Sequence, residues 1–122
     1  KMYKPQQTKL FIVFFVTLFI VGCQEDPERH LKLGSWYLQK DLVDEAILEF
    51  REVPRLYPND LGKLTREEFQ TLSKAHFNLA LAYTKKGWWK FALKEAQKSF
   101  ELQPGKENHD LVELIEIKLE SE

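Results

Sequence analysis

The chain has 122 residues, 43% of them hydrophobic, with 18 lysines and arginines against 19 aspartates and glutamates for a net charge of −1. That length admits one small domain, and the near-neutral balance excludes the strongly basic surface that nucleic-acid binding requires. A single cysteine excludes an internal disulfide, and no cysteine and histidine cluster has zinc-site spacing.

At the amino end, Lys1, Lys4 and Lys9 precede Leu10 to Val21, an uncharged apolar run of twelve residues followed at once by Gly22 and Cys23. A membrane span needs roughly 17 to 25 such residues, so the run has the length of a signal-peptide core. The order Ile20, Val21, Gly22, Cys23 resembles a bacterial lipobox. That resemblance implies a signal peptide over 1–22, acylation of Cys23 and a lipidated tether over 23–28, with everything from Gln24 onward outside the cytoplasm. The competing reading is a short uncleaved anchor helix with an incidental cysteine. Gln24 in place of Asp resembles outer-membrane sorting, which implies a lipid-anchored protein of the cell envelope, at the outer membrane facing the periplasm. From Cys23 onward, 15 basic side chains face 19 acidic ones, a net charge of −4.

Beyond the tether the pattern is helical. A first helix is expected from Glu28 to Gln39, a turn centred on Asp41, and a second helix from Asp44 toward Tyr57. Pro54 is expected to kink or fray the last turn of that second helix, because proline has no amide to donate. Thr65 followed by Glu68 is a capping box, and Phe69, Leu72, Ala75, Leu79 and Tyr83 continue one apolar face. The third helix is therefore expected from near Arg66 to Lys85. Gly87 supplies a permissive turn, and Pro104 ends a fourth helix. Asn108 is expected to cap a last helix from His109 to Leu119, with Leu111, Val112, Leu114, Ile115, Ile117 and Leu119 as its apolar residues.

One unit is used twice. Leu33, Gly34, Tyr37, Asp41, Ala46 and Pro58 recur as Leu79, Ala80, Tyr83, Gly87, Ala92 and Pro104, an offset of 46 residues. These residues resemble the tetratricopeptide repeat, whose period is about 34 residues, with about twelve inserted between the copies here. His30 and His76 stand where that family carries Trp. The resemblance covers about half of the chain. It implies an all-α fold of two tetratricopeptide hairpins plus a C-terminal capping helix, preceded by a signal-peptide helix. The first repeat is placed at 29–60, an insertion extending the next helix at 61–72, the second repeat at 73–106, and the capping helix and tail at 107–122. Ala46 to Pro58 and Ala75 to Tyr83 also resemble the repeats of lipoproteins in outer-membrane β-barrel assembly.

No phosphate-binding loop, nucleophile motif or HExxH run occurs. No enzymatic activity, catalytic residue, cofactor or metal is therefore expected, and His30 and His76, at the position where the family packs a Trp, read as packed side chains rather than metal ligands. In tetratricopeptide modules the first helices of successive repeats line a concave groove. The resemblance maps it onto Leu31, Ser35, Leu38 and Gln39 from the first repeat and Lys74, Phe77, Asn78, Leu81 and Lys85 from the second. Phe77 and Leu81 fit a core role equally well, since exposed and buried stripes share the helical period. Trp36 falls on the side that would meet a preceding repeat. Trp88 with Lys90, Lys94 and Lys98 either contacts anionic headgroups or an acidic partner, or forms a solvated lysine face. The functional expectation is an adaptor or scaffold that binds another envelope protein through the repeat surface and the membrane through Cys23. The alternative is an obligate structural subunit of a larger complex, and two repeats are few enough that self-association is plausible.

Overall fold

A computed structural model describes residues 25–122. The expected signal peptide, Cys23 and Gln24 lie outside the described residues. Five α-helices follow in order: α1 (Pro27–Gln39), α2 (Val43–Leu56), α3 (Arg66–Lys85), α4 (Trp89–Leu102) and α5 (Lys106–Glu120), with a 3-10 turn at Leu61–Lys63 before α3. No strand occurs among the described residues, so the fold is all-α. None of their helices is long and apolar enough to cross a membrane.

Local chemistry sets most of the helix ends. The Asp26 carboxylate accepts from the Glu28 amide, with Pro27 in the first helical turn where its missing N–H costs nothing. Thr65 and Glu68 close a reciprocal capping box at 2.8 and 3.1 Å, which starts α3 where the sequence placed it. Pro54 lies inside α2, and the helix stops two residues later at Leu56. The last helix departs from expectation. It begins at Lys106 behind Gly105, which has no side chain to cap with. Asn108 sits in its first turn and instead donates to the Gln103 carbonyl at 2.7 Å and the Ser99 carbonyl at 3.4 Å. Its amide thus serves the orphan carbonyls at the end of α4.

The two hairpins share one turn. Asp41 and Gly87 both take positive φ, 62° and 76°, and the next amide in each case donates back to a tyrosine carbonyl, Leu42 to Tyr37 and Trp88 to Tyr83, both at 2.9 Å. Each turn sends its second helix back along the first. Where α1 meets α2, a Cβ on Gly34 would stand 2.6 Å from Phe50 Cε1. The glycine is what lets a fully buried phenyl ring sit at the crossing. The matching positions of α3 and α4 hold two alanines, Ala80 and Ala96, both buried in one cluster.

Helix α3 is the central element. Leu79 and Ala82 join Ala46, Ile47 and Phe50 of α2 in one cluster, and Ala80 joins Ala92, Ala96, Leu111 and Ile115 of α4 and α5 in another. Leu72 and Ala75 pack with Val53 in a third. Burying side chains such as Phe50 and Ile115 stabilises by about 1.5–3 kcal/mol each. Between α3 and α4, Ser73 and Ser99 each donate to the other's carbonyl, at 3.1 and 3.0 Å, so the buried hydroxyls are satisfied. Helix α5 covers the second hairpin with Leu111 and Ile115, and leaves Leu114 and Ile117 exposed.

Candidate interaction groove

Helices α1 and α3 lie side by side, and the face they share is open. Leu31, Lys32, Ser35, Trp36 and Gln39 from α1 meet Thr71, Lys74 and Asn78 from α3 around a groove of about 480 Å³, with Glu28 at one end. The i, i+4 spacing of Lys74 and Asn78, and of Leu31 and Ser35, puts each pair on one helical face. Polar contacts fix the floor. Ser35 Oγ donates to the Leu31 carbonyl at 2.9 Å, and the Asn78 amide donates to Ser35 Oγ at 3.4 Å.

The wall carries one aromatic platform and two cations. Trp36 is half exposed and edge-on to Tyr37 at 5.4 Å, with Lys40 Nζ 5.9 Å from its ring centre. Lys32 and Lys74 are exposed and enter no ion pair among the described residues. The lining thus combines the apolar surfaces of Leu31 and Trp36 with hydroxyl and amide groups, two ammonium groups and the Glu28 carboxylate.

Five of the expected groove residues, Leu31, Ser35, Gln39, Lys74 and Asn78, are thus brought together. Leu38 is not among them: it packs beside Ala46, Ile47 and Phe50 in the core of the first hairpin. Phe77 and Leu81 pack on the cluster of Ala80, Leu111 and Ile115, although Phe77 also borders a second cleft, with Lys74, Asn78 and the segment Leu102 to Asn108. Lys85 stands at the turn end, 3.7 Å from Asp41, away from the groove. Trp36 belongs to the groove rather than to an outer end face, because the α1 residues around it converge on α3.

Trp88 is 45% exposed and sits in an aromatic group with Tyr83 and Phe91 under the Lys86 ammonium. Phe91, 62% exposed, was not singled out from the sequence, since the helical period alone does not show that a neighbour is missing. Lys90, Lys94 and Lys98 are all exposed, and Lys98 lies 3.5 Å from Glu95.

The histidines have partners that the sequence reading missed. His30 Nδ1 lies 2.6 Å from Glu49 Oε2, and His76 Nδ1 lies 3.2 Å from Glu95 Oε1. Both pairs tie the first helix of a hairpin to its second, at the same 46-residue offset as the rest of the unit. The signal was present, since Glu49 and Glu95 recur with that offset too. His109, Asp110 and Glu113 bring three ligand-type atoms together on the surface of α5, where Asp110 is already held by Lys106 at 2.7 Å.

No protein-family model matches the chain, and no curated protein matches it.

Proposed function

We propose that this chain is a tetratricopeptide-type lipoprotein that acts as an interaction adaptor in the bacterial cell envelope. Acylated Cys23 tethers it, at the outer membrane facing the periplasm, and the groove between α1 and α3 holds an extended segment of another envelope protein. One observation carries the reading: Leu31, Ser35, Lys74 and Asn78, mapped from the repeat pattern, converge on one open face stitched by the Asn78 to Ser35 contact. The exposed Trp36, with Lys32 and Lys74 in no ion pair among the described residues, adds the kind of side chains that anchor interfaces.

A second reading, the obligate subunit of a larger complex, is favoured by the exposed apolar side chains of Leu48, Phe91, Leu114 and Ile117 on faces away from the groove. Two measurements separate these readings and test the tether. Cys23→Ser should move the protein from the membrane to the soluble fraction; retention in the membrane contradicts the lipid anchor. A photo-reactive side chain at Ser35 should crosslink to a discrete partner while the protein remains stable in cells depleted of that partner. Degradation of the protein on depletion supports the obligate subunit instead.

A further inference from the structure

Helix α3 has a second open side. Phe69, Leu72, His76, Leu79 and Tyr83 recur every three or four residues and form one stripe along it, about half a turn around the helix from Lys74 and Asn78. Helices α2 and α4 flank that stripe, both running opposite to α3, and leave a trough between them. Two clefts make it up, of about 370 and 670 Å³, and they are continuous, since Pro54, His76 and Lys98 line both.

The two ends differ in chemistry. The cleft at the Tyr83 end holds three cations, Arg51, Lys94 and Lys98, against one acid, Glu95. Glu95 is already engaged, 3.2 Å from His76 Nδ1 and 3.5 Å from Lys98 Nζ. Arg51 and Lys94 are exposed and enter no ion pair among the described residues. Phe91, 62% exposed and 5.9 Å from the Tyr83 ring, stands at that end. The other end is lined by Leu61, Phe69, Leu72 and Leu102, with Glu101 as its one acid.

We infer that this trough is a docking site for an acidic segment of a partner protein, with carboxylates at Arg51 and Lys94 and a large apolar side chain among Leu61, Phe69 and Leu102. Charge sets the sign of the occupant, since two cations without partners face a cleft whose one acid is already used. Spacing sets its pattern. Lys94 and Leu102 are eight residues apart on α4, about 12 Å, a distance that an extended chain covers in about four residues. A bilayer fits less well, because the α2 wall carries four acids against two arginines and would repel a flat anionic surface before it reached the cations between the helices. Binding here is weakened by salt. The trough lies across α3 from Lys74 and Asn78, so the site stands independently of what the groove binds.

The test is a titration of the full-length protein in zwitterionic detergent micelles, followed through its backbone amide shifts. The probe is a blocked octapeptide with two adjacent glutamates and, four residues after the second, a phenylalanine. Shifts should gather at Arg51, Tyr83, Lys94 and Leu102 and leave Ser35 and Lys74 in place. Arg51→Glu with Lys94→Glu should weaken binding about tenfold and Leu61→Asp about fivefold, with circular dichroism unchanged. Lys74→Glu should leave the affinity unaltered, which separates this site from the groove. A peptide that does not bind, that binds as well with lysines in place of its glutamates, or that is indifferent to the Arg51 and Lys94 reversals overturns the proposal. So does a protein that ignores the peptide but binds phosphatidylglycerol vesicles through the same two cations, which would assign the face to a membrane.

Discussion

Gly34 leaves 2.6 Å between its absent Cβ and the ring of Phe50, while the residues one unit later are two alanines, Ala80 and Ala96, buried in one cluster. The chain thus solves one packing problem in two ways. Gly34→Ala forces a methyl into a rigid, fully buried ring and should cost about 1–3 kcal/mol. Phe50→Ala should cost about 3–5 kcal/mol by leaving a cavity. The double variant reproduces the alanine pair of the second hairpin, so its cost should fall short of the sum of the singles by about 1 kcal/mol, read from denaturant midpoints.

The turns give an opposed pair of predictions. Gly87 has φ 76° and Asp41 has φ 62°, a region that costs a residue with a Cβ about 1 kcal/mol or more. Gly87→Ala should lower the melting temperature. Asp41→Gly should hold or raise it, the relief of backbone strain being set against the loss of the exposed Lys85 contact.

Acid should act on the second hairpin through Glu95. Burial, the largest single influence, pushes its carboxyl up, but the His76 hydrogen bond and charge together with Lys98 outweigh it and hold it below the ordinary glutamate value. A carboxylate depressed in the folded state contributes stability that is complete above its unfolded pKa and is lost as pH falls through the folded one. Denaturation midpoints of the wild type should therefore drop on acidification from about pH 5 to pH 3 more steeply than those of Glu95→Gln. Equal slopes would remove Glu95 from the account.

At the start of α3, Thr65→Ala should cost about 0.5–2 kcal/mol and speed hydrogen exchange at the Glu68 amide, which the Thr65 hydroxyl accepts from at 3.1 Å. Unchanged exchange there would mean that packing alone fixes the helix end.

The bounds of α3 were readable because Thr65 and Glu68 are three residues apart, and a cap written in side chains is visible in sequence. The start of α5 was not, because Gly105 caps with backbone alone and Asn108, a residue type favoured at caps, spends its amide on Ser99 and Gln103. Leu38 and Leu81 share the helical period of Leu31 and Lys74, so spacing could not divide core from groove; only the neighbours across the helices do. The His30 and His76 partners sit 19 residues away on another helix, beyond the reach of any local pattern, although their common offset encoded them.

The groove carries the central claim, and in-cell crosslinking from Trp36 tests it most directly. A photo-reactive residue at position 36 should give one discrete protein adduct, and Lys74→Glu should reduce that adduct about tenfold while leaving the amount of protein unchanged. An adduct of equal yield in the Lys74→Glu background, or none from position 36 beside a strong one from position 114 on α5, would contradict it.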